Sequence, residues 1–226
     1  VGRAEVGANL QDHPRASFRW QGRGTLPGSS VSAGLLTHSS RGVVPAPPDI
    51  QFYVGRGITD PDPFITLTVA LSVSRSRGSV SLRSADPAAA PIIRANYFQD
   101  GRDLDAMVEG ARLARAFAHT RPYEALRGAP IDPPEGTESV AAIRAHLRRT
   151  VGTMFHPAGT CRMGQDEASV VDPELRVRGV DRLWVADASV MPQVVNCQTH
   201  AACAAIGWRA SHFIDPGGAG STGPGT

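Results

Sequence analysis

The sequence predicts an α+β fold, an antiparallel sheet backed by helices, and three observations carry that prediction. Residues Phe64–Val73 alternate: Ile65, Leu67, Val69, Leu71 and Val73 point one way, and Thr66, Thr68, Ala70 and Ser72 the other. A period of two is that of a strand with one face buried. Ser74-Arg75-Ser76-Arg77-Gly78 then reads as a turn, and Ser79–Arg83 alternates again through Val80 and Leu82, which predicts a hairpin with one wetter face. Leu104, Met107, Val108, Ala111, Ala114 and Phe117 share one stripe of a helix over Asp103–His119. Val140, Ile143 and Leu147 share one stripe of a second helix over Ser139–Arg149.

The other segments fill in around these. Val1–Pro14 is polar and Gly-containing, hence loop, while Ala16–Trp20 and Asp49–Val54 read as strands. Between them, Gln21–Pro48 is rich in Gly, Ser and Pro with one apolar patch at Leu35-Leu36. That composition predicts a long irregular excursion of the kind that forms a lid over a pocket. Asp103 stands where it could cap the first long helix. Asp86-Pro87 and Ala90-Pro91 punctuate the chain before Ile92–Phe98, and Pro122 and Pro130–Pro134 break it again. A third helix is predicted over Ala201–Ile214, and Gly217–Thr226, which has nothing to bury, reads as a disordered tail.

Bulk properties narrow the class. A chain of 226 residues with 41% hydrophobic and 19% charged content can bury a core and form one or two domains. Its formal net charge of +2 is too small to argue for a nucleic-acid or membrane partner, and no nucleic acid is expected. Every basic side chain counted in it is arginine, dispersed along the chain, which reads as the imprint of a GC-rich, bacterial genome. Cys161, Cys197 and Cys203 form no CxxC pair, so a reduced, cytoplasmic protein is expected. With no run of eighteen apolar residues, no membrane span is expected either.

The stretch from Gly152 to Gly207 carries what chemistry there is. His156 and His200 bracket it, and between them the apolar run Arg182–Ala186 ends at Asp187. An acid at the carboxyl end of a strand in an open α/β sheet is well placed to touch a ligand. After His200 come Ala201, Ala202, Ala204, Ala205 and Gly207, small enough to let a helix approach a flat cofactor. His156 precedes Pro157 and is therefore extended, as a pocket-edge residue often is; a lone histidine is as a rule a structural one. His13 has a similar setting, whereas His38, His119, His146 and His212 read as surface or helix-face residues. Rival chemistries leave weak traces. The sequence has no G-x-S-x-G for a serine hydrolase, and neither Gly22-Arg23-Gly24, followed by Pro27, nor Gly55-Arg56-Gly57, followed by Asp60, completes a G-x-G-x-x-G. His156 and Cys161 are too few ligands for zinc, and nothing marks Cys161 as a nucleophile. Residue by residue, the reading is an α+β protein with a candidate general base and its reaction undecided.

Longer motifs go further. The run His156-Pro157-Ala158-Gly159-Thr160-Cys161-Arg162-Met163-Gly164, then Val171-Asp172-Pro173, then Leu183-Trp184-Val185-Ala186-Asp187-Ala188-Ser189-Val190-Met191-Pro192 closely resembles the C-terminal part of glucose–methanol–choline (GMC) oxidoreductases. Asn9-Leu10-Gln11-Asp12-His13-Pro14, Ser76–Val80 and Ser84–Pro87 agree with it, in family order, across most of Val6–Ile214. The resemblance implies a flavoenzyme with FAD that oxidises a small-molecule alcohol to an aldehyde or ketone, resembling choline dehydrogenase. It implies that His156 is the catalytic base and that His200 is the second catalytic residue, holding the alcohol oxygen. Imidazole suits the task, since an intrinsic pKa near ~6.5 leaves it able to accept a proton at neutral pH. It further implies that Asp187 and Ala188 contact the FAD ribityl and pyrophosphate, and that His200 and Ala201 lie near the flavin pyrimidine ring.

The resemblance also sets expectations for organisation. Residues 1–151 match the substrate-binding portion, 152–215 a segment that returns to the FAD domain with the histidines, and 216–226 a tail. Family members begin with a βαβ unit that grips the ADP half of FAD, and that unit is absent here. The chain is therefore expected to be inactive and a poor FAD binder without that N-terminal half, supplied in cis or in trans. It is also expected to expose apolar surface. A GMC-type hydroxynitrile lyase, or a non-catalytic remnant acting as an interaction module, stand as alternatives.

Overall fold

The computed structural model describes residues 3–23, 34–40, 47–57 and 63–215. The tail, and most of the excursion read as a lid, lie outside these residues. The chain divides into two compact units: His13–Ser76 with Tyr97–Met154, and Val1–Asp12 with Arg77–Asn96 and Phe155–Thr226.

The first unit is a sheet covered by helices. Its strands are β1 (Pro14–Gly22), β2 (Gly34–His38), β3 (Ile50–Gly57) and β4 (Phe64–Leu71). The sheet order is β2-β3-β4-β1, with all neighbours antiparallel. β2 runs through the Leu35-Leu36 patch, so the excursion between the first two expected strands contains a strand of its own. In β4, Ile65, Leu67, Val69 and Leu71 are buried as the alternation requires. Ala16, Phe18 and Trp20 of β1, together with Ile50 and Phe52 of β3, join them on the same core.

The hairpin expected after β4 does not form. β4 pairs with β1 and β3, whereas β5 (Ser79–Ser81) pairs with β6 (Ile92–Arg94) in a separate two-stranded sheet of the second unit. The cause is Asp103. Rather than capping its helix, this carboxylate is buried and accepts from the Ser74 hydroxyl at 2.9 Å and the Arg75 N–H at 2.9 Å. It also accepts from the Ser76 N–H at 2.7 Å and the Ser76 hydroxyl at 2.6 Å. Residues 74–76 are thereby held at the amino end of a helix, where the helix dipole also favours an anion, and they cannot turn back along β4.

That helix is α1 (Gly101–Ala118), and its cap is Asp100, whose side chain accepts from the Arg102 N–H. The Asp100 carboxyl is held down to about 2 by its hydrogen bond from the Arg102 side chain. Leu104, Met107, Val108, Ala111 and Ala114 are buried against the sheet, with Phe117 half-buried at the edge. Gly110 lets the helix lie close: a Cβ there would stand 2.5 Å from Val69 Cγ1 and 3.3 Å from Ile50 Cγ2.

The proline-broken stretch after α1 holds two further elements, the single turn α2 (Arg121–Glu124) and the edge strand β7 (Arg127–Asp132), which pairs with β1. An edge strand tolerates Pro130, because one side of its backbone needs no partner. α3 (Val140–Thr150) follows, capped by the Ser139 hydroxyl on the Ala142 N–H, and buries Ile143 and Leu147. Val140, expected on that stripe, is 42% exposed at the first turn. His146, expected on the surface, is 1% exposed, with its ring 5.9 Å from that of Phe18. The two-residue β8 (Gly152–Thr153) pairs with the start of β1.

The second unit has little regular structure beyond β5, β6 and α4 (Thr199–Ile214). Arg182–Ala186, expected as a strand, is irregular: Arg176 and Trp184 form an isolated bridge, and Val177 and Val185 donate to Leu183 and Leu175. Two small cores organise this unit. Val170, Val171, Leu175 and Val190 pack with Ala210 of α4, and Ala158, Met191 and Val194 pack with its Ala202, Cys203 and Ile206. No helix among the described residues is long and apolar enough to cross a membrane.

Two outcomes test this layering. Gly110→Ala gains helix propensity of at most about 1 kcal/mol. It loses about 1–3 kcal/mol to overpacking against the stiff Val69 side chain. Its Tm should therefore fall, and an unchanged Tm would mean that the helix is not seated as closely as stated. His146 has its pKa lowered chiefly by burial, with Asp132 opposing and Arg149 adding to the shift. A neutral imidazole in the fold and an ordinary one in the unfolded chain give a contribution that is complete above pH ~6.5 and lost as pH falls below it. A plot of Tm against pH should therefore slope down below pH ~6.5, and His146→Gln should flatten that part of the curve.

Candidate functional site

All the residues singled out by sequence lie in the second unit. His156 follows Phe155, whose φ of 62° is unusual for a bulky side chain. Phe155 points outward, 77% exposed, while His156 is buried at 8% exposure. The backbone N–H of His156 donates to Asp12 Oδ1 at 3.1 Å, a buried hydrogen bond. Two residues on, Ala158 exchanges both backbone hydrogen bonds with Gln11, each 2.9 Å. Gly159 follows at φ 90°, where a Cβ would lie 2.6 Å from the Asn9 carbonyl oxygen. Only glycine fits that conformation and that approach. The Asn9 side-chain amide donates back to the Gly159 carbonyl at 3.2 Å, and Arg77 Nε holds the Asn9 side-chain oxygen at 3.1 Å.

The same loop runs along the segment that carries Asp187 and Ala188. Gly159, Cys161 and Met163 donate to the carbonyls of Ala188, Ser189 and Val190 at 3.2, 2.8 and 2.8 Å. Asp187 does not end a strand. It is exposed and caps the 3-10 turn Ala188–Val190 by accepting from the Ser189 N–H through Oδ1 at 2.8 Å. Its other oxygen can accept from a ligand hydroxyl. Arg162 and Asp166 pair beside the loop at 2.9 and 2.7 Å, which holds the Asp166 carboxyl down to about 2.

From Pro192 the chain leads to α4, which begins two residues earlier than its sequence suggests, so that His200 lies in its first turn. His200 and Ala201 are exposed there, and Gln198 at the cap makes no side-chain capping bond. α4 is apolar on both sides. Ala202, Cys203, Ile206 and Ala210 face the two cores, while Ala201, Ala204, Ala205 and Trp208 are exposed on the other side. An apolar helix face is normally a buried one. The unit has other uncovered apolar side chains as well: Leu82 is 86% exposed and Ile93 65%.

These features suit part of a flavin. A first helical turn of small residues, with its N–H groups free of a side-chain cap, can meet the carbonyl edge of a pyrimidine ring. The Asp187 carboxylate suits a ribityl hydroxyl. The three cysteines are free thiols, with only Cys197 exposed. Sequence reasoning missed Asp12 and Gln11, whose role arises from pairing across some 150 positions; their motif was the only signal.

Known proteins show where this arrangement recurs. The family model described as GMC oxidoreductase matches residues 74–207. An uncharacterized GMC-type oxidoreductase of Mycobacterium tuberculosis is 38% identical over 239 residues, covering 93% of this chain and 45% of the relative. Choline oxidase of Arthrobacter globiformis is 34% identical over 234 residues, covering 96% of this chain and 42% of the relative. Pyridoxine 4-oxidase from Mesorbium loti has a similar structure, with a TM-score of 0.83 at 29% identity over 96% of this chain and 44% of that one. A formate oxidase variant of Aspergillus oryzae, studied for FAD modification, shares the fold, with a TM-score of 0.84 at 22% identity over 96% of this chain and 48% of that one. The chain thus spans less than half the length of each of these proteins.

Proposed function

Because this chain belongs to the GMC oxidoreductase family, we propose that it supplies the proton-handling side of an FAD-dependent oxidation of a small alcohol to an aldehyde or ketone. The observation that carries the reading is the placement of His156: a buried residue on a loop tethered at Asp12, Gln11 and Asn9, and running beside the Asp187–Ala188 turn. When bound, FAD supplies the acceptor for the hydride. His156 takes the hydroxyl proton on its imidazole, and His200 holds the alcohol oxygen by hydrogen bonding. Asp187 and Ala188 hold the ribityl and pyrophosphate portion, and the first turn of α4 at His200 and Ala201 meets the pyrimidine ring. On this reading residues 1–151 are the substrate-binding portion and 152–215 the flavin-facing segment.

The uncovered side of α4 supports a second half of the reading. The exposed Ala201, Ala204, Ala205 and Trp208 call for a cover of protein and cofactor, and the relatives' additional length is the natural source of it. The working unit is therefore this chain together with an N-terminal, ADP-gripping half, in cis or in trans. By itself the chain binds FAD weakly and does not turn over an alcohol.

Two measurements check this. The chain purified alone should be colourless, and the chain expressed with its upstream coding region should be yellow. Anaerobic addition of choline, pyridoxine or benzyl alcohol should bleach only the latter; a stoichiometric flavin on the chain alone would sink the two-part reading. In the yellow protein, His156→Ala or His200→Ala should lower kcat by ~10²–10⁴. Asp187→Ala should leave a smaller fraction of protein holding flavin. Unchanged kcat in both histidine variants would remove the catalytic assignment.

A further inference from the structure

We propose that Asp12 is a positioning residue for His156, and that the Asn9–Asp12 segment is the jig that sets this histidine relative to the chain leading to His200. The proposal rests on the reading of His156 as the proton acceptor. Asp12 acts through the backbone, its Oδ1 accepting from the His156 N–H at 3.1 Å in a buried setting.

That bond sits where the backbone most needs one. Phe155 is held at φ 62° without a glycine's freedom, a strained conformation that persists only when neighbouring contacts over-determine it. Asp12 at the residue that follows Phe155 and the Gln11–Ala158 pair two residues further on are such contacts. A charge-assisted acceptor on a buried N–H is stronger than a neutral one, and its loss leaves a buried donor unpaired.

Gln11 extends the same grip to the chain that leads toward the other histidine. Its side chain is 1% exposed. The amide donates to the Pro192 carbonyl at 3.1 Å and accepts from the Val194 N–H at 3.2 Å. Asn9 adds a donor to the same Pro192 carbonyl at 3.4 Å. Three residues of this segment, Asn9, Gln11 and Asp12, thus grip the His156 loop at 156, 158 and 159 and the approach to α4 at 192 and 194. A base misplaced by about 1 Å can lose ~10²-fold in rate, so a rigid grip at this point has a catalytic consequence.

The test uses the FAD-loaded protein that includes the upstream region, with choline, pyridoxine and benzyl alcohol as probes. Exchange of the His156 amide hydrogen is the readout independent of turnover. Asp12→Ala should speed that exchange at least ~10-fold and lower kcat ~10- to 100-fold, with KM and flavin content little changed. Asp12→Asn keeps an acceptor oxygen and should restore both. In a His156→Ala background, Asp12→Ala should cost nothing further, because a residue acting only through His156 is not additive with its removal. If Asp12→Ala leaves kcat within about twofold while His156→Ala abolishes it, the positioning role falls and the base assignment stands. The role also falls if the two substitutions add, or if Asp12→Asn fails like Asp12→Ala. If His156→Ala leaves kcat unchanged, the base assignment fails and takes the positioning role with it, even where Asp12 still slows the amide exchange.

Discussion

The second unit depends on one short stretch of backbone pairing, the reciprocal hydrogen bonds between Gln11 and Ala158. This unit has two small cores and few regular elements, so it cannot rely on a sheet or bundle to define its loops. A segment from the start of the chain instead lies beside the His156 loop and supplies side-chain partners in both directions. Gly159 is the counterpart of this arrangement, since any side chain there would collide with the Asn9 carbonyl. Where helices and strands are scarce, hydrogen-bonded buried polar groups define the loops, because leaving one of them unpaired is costly.

In the first unit the comparable constraint is the Asp103 carboxylate. Its four donors come from three consecutive residues just beyond β4, and they decide that the chain leaves the sheet there. The helix it opens then lies against β3 and β4 with a glycine at the closest approach. Apolar packing supplies most of the stability of such a layer, while the polar cluster selects the topology. Polar specificity and apolar burial thus divide the work in both units, with opposite weights.

Much of this was legible in the residues. The alternation in β4 placed Ile65, Leu67, Val69 and Leu71 on the buried face, and the stripe on α1 placed Leu104, Met107 and Ala111 there too. Those patterns are local, arising from the period of the element itself. The misreadings have a different origin. Ser74–Gly78 has the composition of a tight turn, and only a carboxylate some 28 positions away keeps it from being one. Arg182–Ala186 has the composition of a strand, but its pairing with Leu175–Val177 is limited to an isolated bridge. Pro130 argued against β7, and an edge position removed the objection. His146 looked like a helix-surface residue because its buried environment is made by β1 and β7.

The candidate site follows the same division. The sequence by itself determined the family motifs, the identity of His156, His200 and Asp187, and the glycine at 159, since these are matters of residue type and spacing. Tertiary structure alone decided that Asp187 caps a 3-10 turn, that His200 belongs to the first turn of α4, and that Asp12 holds the His156 backbone. The physical reason is the range of the interactions. Periodicity and motif are written within a few residues, whereas a hydrogen bond between positions 12 and 156 exists only after the chain has brought its two ends together.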